Sequence, residues 1–283
     1  MNKNNKELLV KQAMSEVYKQ VEDMGYTLVY LAVQGSTNYD LDIYNDKYQS
    51  DVDMKAFVLP SFKDLYYNEK VSKIYKTKYG QVEVKDARCL PELLGKMNPS
   101  YVELLFTPYF CASQDSDDFV SKLRELKHRL MQDRFALFIR GVVGTIYTKR
   151  DGLFHNREGI KEQFEKFGYD PKQLHHALRL SSMLQNLFYN ENKFDNLFRV
   201  KDEKLKQHLL DVKVYGVESS EVAEKEMSNA VAVVEELQDK IYENKILKPQ
   251  FAVKSESLNE LKDLVYEMVE KEITQKEHKF LMK

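Results

Sequence analysis

The chain has 283 residues, of which 43% are hydrophobic and 31% charged, and its formal net charge is −2. This composition is typical of a globular protein with one large or two modest domains, and it argues against a strongly basic nucleic-acid coat protein. No apolar run reaches the length of a membrane span, and the N-terminus lacks a signal-peptide core. Cys89 and Cys111 lie in apolar surroundings, so we expect reduced thiols without a disulfide partner and a cytoplasmic protein.

The first predicted elements are a helix and two strands. Apolar residues recur with a helical period over residues 7–24, which predicts a helix that packs on a sheet and ends at Gly25. Residues 27–33 form an apolar run rich in β-formers and are predicted to be a buried strand. Gly35 and Ser36 end this strand, and a loop of Asn, Asp and Tyr leads to a second predicted strand over residues 50–59.

Two aspartates lie close together at the start of the second predicted strand. Successive strand side chains alternate between faces, so Asp51 and Asp53 are expected on one side, roughly 7 Å apart along the backbone. Two neighbouring carboxylates repel each other, and a shared cation relieves that repulsion. Hard oxygen ligands with few His or Cys nearby favour Mg²⁺ (or Mn²⁺) over zinc.

A strand, a Gly-Ser pair, a loop and an Asp-x-Asp pair in this order resemble the signature of the polymerase-β-like nucleotidyltransferase superfamily. The resemblance implies that the backbone at Gly35 approaches a phosphate and that Ser36 binds phosphate oxygens. It also implies that Asp51 and Asp53 hold two metal ions roughly 3.5–4 Å apart for an in-line displacement. Lys55, two residues further on, is included among the nucleotide-binding candidates.

The next predicted elements supply a third carboxylate. Ser61 is a predicted N-cap for a helix over residues 62–68, and two strands over 71–77 and 81–84 flank a Tyr-Gly turn. The resemblance implies a catalytic or metal-binding acid on a strand after the aspartate pair, and Glu83 is the first candidate. Asp86 is the second, although it is a better candidate for capping a helix over 87–97. Lys85 shares the face of Glu83 and could pair with it or contact a phosphate.

A later segment narrows the resemblance. Asn98 and Pro99 begin a predicted helix that continues with an acid and two leucines. This pattern, with the segments 105–110 and 176–180, resembles a bacterial and phage subgroup described as RNA-repair-associated nucleotidyltransferases. One position departs from the subgroup, which commonly has glycine where this chain has Asp40.

From residue 115 onward the apolar spacing becomes helical and strand signals fade. Helices are predicted over residues 119–131, 135–147, 160–167, 171–189, 222–242 and 258–273. We therefore predict an α+β fold, with a small mixed-sheet nucleotidyltransferase domain over residues 1–114 and a helical domain over 115–283 that forms the other wall of a cleft.

Basic residues on the predicted helices are candidates for binding a triphosphate, which needs positive charge opposite the metals. They are Arg140, Lys149, His176 and Arg179. Arg140 lies in an apolar run, where a buried charge needs a partner or a ligand, and His176 and Arg179 share one helical face. A structural ion pair or a satisfied core histidine explains each of these positions about equally well.

The predicted activity is metal-dependent transfer of an NMP from an NTP, ATP being the expected one, to an acceptor hydroxyl. The subgroup resemblance favours an RNA 3′ end as acceptor, while a protein side chain or a small molecule stays open. One alternative is a catalytically silent nucleotide-binding or interaction module that retains the fold. A second alternative is a helical scaffold on which Asp51 and Asp53 are surface charges.

Overall fold

A computed structural model describes residues 3–45, 48–189, 194–243 and 255–281 of the chain. It has the predicted α+β architecture, with a five-stranded mixed sheet and many helices. The strands are β1 Leu28–Val33, β2 Tyr44–Asn45, β3 Tyr48–Gln49, β4 Met54–Val58, β5 Ser72–Lys76, β6 Gln81–Asp86 and β7 Phe110–Cys111. The α-helices are α1 Lys3–Asp23, α2 Ser36–Tyr39, α3 Phe62–Tyr66, α4 Leu90–Gly95, α5 Pro99–Phe106, α6 Asp117–Glu125, α7 Lys127–Asp133, α8 Phe135–Asp151, α9 Lys161–Phe167, α10 Pro171–Tyr189, α11 Glu203–Tyr215, α12 Ser220–Glu243 and α13 Glu256–Leu281. No helix in the described part of the chain has both the length and the apolarity that a membrane span requires.

The five-stranded sheet has the order β5-β6-β4-β1-β7. β4 pairs with β1 in the antiparallel and with β6 in the parallel direction, and the second pairing sets Lys55 opposite Glu83. Apolar side chains of α1, including Val10, Ala13 and Val17, form one core with alternate residues of β1, β4 and β6. The predicted packing of the first helix on the sheet is therefore confirmed.

Several local predictions agree with the structure. Gly25 follows α1 with a φ of +79°, a left-handed conformation that suits glycine at a helix C-terminus. Ser61 caps α3 by accepting a hydrogen bond from the N–H of Asp64, whose carboxylate accepts one from the Ser61 N–H. The side chain of Asp86 caps a short 3₁₀ turn over Ala87–Cys89.

Other boundaries differ from the predictions. β4 begins at Met54, not at residue 50, because Val52 N–H donates to the Tyr79 carbonyl instead of joining a regular ladder. The helix predicted over 87–97 is a 3₁₀ turn followed by α4, and the helix predicted over 119–131 is divided into α6 and α7. The helix α11 was not predicted, because Leu209 and Val212 alone are buried along its length and the apolar stripe is weak.

The chain divides into two compact units. The first unit takes in the chain up to Asn38, residues Asp42–Arg134 and helix α13, and the second takes in Tyr39–Leu41 and the chain from Phe135 through α12. This division differs from the predicted boundary after residue 114. The assignment of residues 1–114 as a catalytic domain and 115–283 as the opposite wall of a cleft stays a prediction.

Side chains of the first unit explain why the C-terminal helix belongs to it. The Asp133 carboxylate accepts hydrogen bonds from the Ser255 and Ser257 hydroxyls, at 3.1 and 2.6 Å, at the start of α13. The same helix packs Leu258 against Gly95, where a Cβ would lie 3.2 Å from the leucine side chain. A bundle of α8, α10, α11 and α12 builds the second unit, with α10 packed against the other three.

Candidate functional site

The predicted Gly-Ser turn and the acidic segment are joined by a backbone hydrogen bond. Gln34 N–H, immediately after β1, donates to the Asp53 carbonyl at 2.9 Å. This bond continues the antiparallel pairing of Val33 with Met54. Gly35 follows with a φ of +79°, which glycine adopts without steric cost, and Ser36 begins the one-turn helix α2. The structure thus brings the turn and the aspartates together.

Two side chains in and next to helix α5, those of Thr107 and Glu103, form hydrogen bonds with this turn. Thr107 Oγ1 donates to the Asn38 side-chain oxygen at 2.5 Å, and Asn38 Nδ2 donates to the Val33 carbonyl at 2.6 Å. Glu103, which is buried, accepts a long hydrogen bond of 3.4 Å from Gly35 N–H. The sequence analysis gave these residues no role. The position of Glu103 within the apolar run of α5 was nevertheless a signal, because a buried acid needs a hydrogen-bond partner.

Asp51 and Asp53 flank the fully buried Val52. Asp51 is exposed and Asp53 is half-buried, so both carboxylates leave the core side of the segment. Asp53 Oδ1 accepts a hydrogen bond from Gln81 N–H at 3.0 Å. Asp51 lies near Tyr44, where burial, together with the charges of Asp42 and Asp51, raises the pKa of the tyrosine to about 12.

Gly80 holds the acidic segment at close range. A Cβ at this position would lie 2.8 Å from the Val52 carbonyl oxygen, closer than any side chain can approach without displacing the backbone. Val52 N–H donates to the Tyr79 carbonyl at 2.7 Å. The Tyr-Gly turn was predicted as a turn, but its contact with the aspartate segment was not.

Glu83 is surrounded by hydrogen-bond donors. Its carboxylate pairs with Lys55 at 2.5 Å and with Lys85 at 3.0 Å, and the Tyr101 hydroxyl lies 3.2 Å away. Lys55 is itself buried, and its ammonium lies 4.5 Å from the centre of the Tyr101 ring. The parallel pairing of β4 with β6 sets Lys55 and Glu83 side by side and so creates this cluster.

The electrostatics of this cluster follow from its two lysines. Burial alone would raise the pKa of Glu83, but hydrogen bonds and charge from Lys55 and Lys85 outweigh it, so the pKa lies below its ordinary value. Burial and the Glu83 charge raise the pKa of Tyr101. Glu83 is therefore an anion held by two cations, which makes it a weak base in this arrangement.

The resemblance assigns metal binding to the carboxylates of Asp51, Asp53 and Glu83. Asp51 and Asp53 offer the oxygen ligands that Mg²⁺ and Mn²⁺ prefer. Glu83 does not fit as a third ligand here, since its lysine partners hold its oxygens. Within residues 3–45, 48–189, 194–243 and 255–281, no group of three or more His, Cys, Asp or Glu side chains could hold a metal ion. The aspartate pair fits as two ligands of an incomplete set.

The second acid candidate has a structural position. Asp86 is fully buried, and its carboxylate accepts hydrogen bonds from the backbone N–H and the guanidinium of Arg88. These bonds account for its charge without a ligand. The two cysteines are separate, half-buried thiols, and burial raises the pKa of Cys111 to about 11.

The four basic candidates of the helical region lie in the second unit. Arg140 is exposed, so the argument that its burial requires a ligand does not hold. Lys149 and His176 are half-buried, and Arg179 is buried at 6% exposure on α10. The neighbouring His175 shares a hydrogen bond of 2.9 Å with the Leu209 carbonyl and is a satisfied core histidine.

The chain was compared with protein-family models, curated proteins and solved structures. No protein-family model and no curated protein matches the chain. Among solved structures, the chain is similar to a nucleotidyltransferase-like protein from Exiguobacterium sibiricum 255-15, with 15% sequence identity, coverage of 93% of this chain and 91% of that chain, and a TM-score of 0.31. A similarity at this level shows neither a shared family nor a shared activity.

Proposed function

We propose that the protein is a nucleotidyltransferase that transfers an NMP from an NTP, ATP being the expected donor, to an acceptor hydroxyl. The observation that carries the proposal is the hydrogen bond from Gln34 to Asp53, which holds the Gly35–Ser36 turn against the acidic segment. A turn that phosphates can approach therefore lies beside two carboxylates that can share a divalent cation.

In the proposed reaction the acceptor oxygen attacks the α-phosphorus in line. The bond from this phosphorus to the oxygen that bridges to the β-phosphate breaks, and pyrophosphate leaves with its electron pair. Gly35 and Ser36 position the phosphates, and Asp51 and Asp53 would hold a divalent cation beside them. A bound Mg²⁺ or Mn²⁺ would supply neutralisation of phosphate charge. The hydroxyl proton passes to Glu83 once one of its lysine partners has left it, and catalysis is mainly positioning and charge neutralisation.

The lysine pairs of Glu83 favour a second candidate function. A carboxylate already neutralised by Lys55 and Lys85 can accept a proton or a metal only after a lysine leaves it. If neither lysine leaves, the chain binds a nucleotide beside Gly35 and Ser36 without transferring it. This candidate is a nucleotide-binding module that retains the nucleotidyltransferase fold.

Labelling with each α-³²P NTP tests the proposal. The wild-type chain, incubated with Mg²⁺ and separate pools of RNA, proteins and small molecules, is expected to label one pool, with RNA expected first. Asp51→Asn and Asp53→Asn should each lower labelling by about two orders of magnitude or more, because each removes a charge that the cation needs. Folding should be unchanged, since an asparagine that replaces Asp53 can still accept a hydrogen bond from Gln81 N–H through its side-chain oxygen.

The matched control is Asp118→Asn, which changes an exposed aspartate paired with Lys122 on α6. It should label at the wild-type rate. Full activity in the double Asp51→Asn, Asp53→Asn variant contradicts transfer at this site. Nucleotide binding by the wild type without labelling of any pool supports the silent module instead.

A further inference from the structure

The second unit contains a buried guanidinium with two nitrogen atoms that lack hydrogen-bond partners among the described residues. Arg179 lies in the middle of α10 with 6% of its surface exposed. Its Nε and Nη1 atoms are buried, and neither has a hydrogen-bond partner among the residues that the structure describes. A buried cation with unpaired N–H groups is costly, because these groups have given up their bonds to water. Such a side chain calls for an anionic partner.

The contacts around Arg179 compensate for only part of this cost. Its guanidinium lies 3.7 Å from the centre of the Tyr39 ring, so a cation–π contact covers one face of the group. Stacking leaves the N–H groups in the guanidinium plane unused. The carboxylate that follows Tyr39 in the chain, Asp40, forms a salt bridge of 2.8 Å with Arg199.

Several charges act on Lys149, which lies on α8, a helix that contacts α10. The pKa of the half-buried Lys149 lies below its ordinary value, chiefly because of burial and then because of the charges of Lys172, Arg157 and Arg179. Asp170 opposes this effect, but its carboxylate already accepts hydrogen bonds from Arg157 and Gln173, each at 3.0 Å. Positive charge therefore exceeds negative charge around Lys149.

The adjacent histidine adds a polar group without adding charge. His176 lies one turn before Arg179 on α10 and is half-buried. Burial, followed by the charges of His175, Arg179 and Lys149, holds the pKa of His176 well below its ordinary value. A neutral imidazole can donate one hydrogen bond to an anion, although it carries no positive charge.

From this geometry we infer that Arg179, Lys149 and His176 form an anion pocket that binds a phosphate or oligophosphate group. A multiply charged oxyanion suits a pocket with several cations, and arginine is the side chain best shaped to bind phosphate oxygens. The phosphate chemistry has two possible sources, the triphosphate of a nucleotide and the terminal phosphate of an RNA. The pocket does not depend on the proposed transfer reaction, since it consists of residues of the second unit.

The test measures binding of sodium tripolyphosphate to the full chain in EDTA, by calorimetry and by the ligand-induced shift in Tm. Arg179→Met keeps an unbranched apolar stem at this position but removes the guanidinium and its charge. We expect it to weaken binding by about ten- to a hundredfold, because a charged hydrogen-bond donor is lost, and to raise the Tm of the ligand-free protein. Lys149→Gln should weaken binding less. The control Arg150→Gln changes an exposed arginine one residue away, paired with Asp151, and should bind as wild type.

Further binding measurements distinguish a nucleotide triphosphate from an RNA terminal phosphate, and test the pocket separately from nucleotide transfer. ATP is compared with adenosine, and a 5′-phosphorylated hexaribonucleotide with its 5′-hydroxyl form; the stronger phosphate-dependent gain identifies the source. Asp53→Asn should bind tripolyphosphate as the wild type does even if it transfers no nucleotide. Wild-type affinity in Arg179→Met overturns the pocket. If that variant does not fold, unchanged affinity in Lys149→Gln overturns it instead.

Discussion

Two charges that are partly or wholly buried, one in each unit, differ in how they are satisfied. In the first unit, the carboxylate of Glu83 pairs with Lys55 and Lys85 and lies within reach of the Tyr101 hydroxyl. In the second unit, the guanidinium of Arg179 stacks on Tyr39 but leaves two nitrogen atoms without partners among the described residues. The first charge is neutralised by the fold itself, whereas the second is not.

This difference changes the roles that the sequence suggested. Glu83 was predicted as a catalytic and metal-binding carboxylate, and Arg179 as one of four equal candidates for binding phosphate. A charge whose partners are supplied by the fold is costly to separate from them, so it resists recruitment by a ligand. A charge without partners lowers stability until a ligand arrives. The comparison predicts that changes at Glu83 affect stability first, and that changes at Arg179 affect binding first.

The largest expected effect on stability is that of Glu83→Leu. It leaves the buried Lys55 ammonium without its carboxylate, and removal of one partner from such a pair costs about 3 kcal/mol of unfolding free energy. Urea denaturation measures the loss. The double variant Lys55→Met, Glu83→Leu should recover most of it, since no buried charge is then left unpaired.

Glu92→Leu is the matched control for this variant. Glu92 pairs with Lys96 on the surface of α4, with both side chains more than half exposed, so its replacement should change stability by about 0.5 kcal/mol or less. If Glu83→Leu is equally mild, Glu83 is not a structural anion. A large loss of labelling in that mild variant would return Glu83 to its predicted catalytic role.

The buried histidines and Glu83 should lose their contributions to the unfolding free energy at different pH values. Burial lowers the pKa of His175 to about 4, below the value of roughly 6.5 that an unfolded chain would show. Its neutral form therefore contributes stability that is complete above pH 6.5 and is lost as the pH falls towards 4. The slope should reach about 1.4 kcal/mol per pH unit for this group, and His176 should act in the same direction.

Glu83 should respond only at lower pH. Its pKa is depressed, so its contribution is present above its unfolded pKa of roughly 4.3 and is lost below that value. Urea denaturation between pH 7 and 5 isolates the histidines. His175→Gln should flatten the slope, and His208→Gln, at an exposed histidine beside Glu226, should not. An unchanged slope in His175→Gln would show that other groups set the acid response.

The smallest expected effect is that of Tyr101→Phe. It removes the hydroxyl beside Glu83 but keeps the ring under the Lys55 ammonium, so we expect a loss of about 1 kcal/mol in unfolding free energy. Tyr266→Phe, at an exposed tyrosine bonded to Glu270, is the control and should be neutral. A loss as large as that of Glu83→Leu would mean that the hydroxyl, and not the lysines, stabilises the carboxylate.

Much of the fold was predictable because its signals are local. The bounds of α10 coincide with the predicted residues 171–189, and the caps at Gly25 and Ser61 were predicted from residue type. Helix α11 was missed because few of its residues are buried. The return of α13 to the first unit was not predictable, since Asp133 and Ser257 are in contact although more than a hundred residues separate them in the sequence.

The residues of the candidate site were predictable from the sequence, but the hydrogen bond that joins them was not. The sequence pointed to Gly35, Ser36, Asp51 and Asp53, and the structure joins them through a bond at Gln34 that no pattern indicated. The burial argument for Arg140 was mistaken because an apolar run on a helix also has an outer face, where this arginine lies.

The sequence by itself determined most of the order of helices and strands, the Gly-Ser turn and the acid pair, because periodicity, capping and turn chemistry act over a few residues. Only the tertiary structure decided which charges have partners. The parallel pairing of β4 with β6 sets Lys55 beside Glu83, while the packing of α10 buries Arg179 against Tyr39. Such pairings depend on contacts between distant parts of the chain, and burial makes each charge depend on the neighbours it meets.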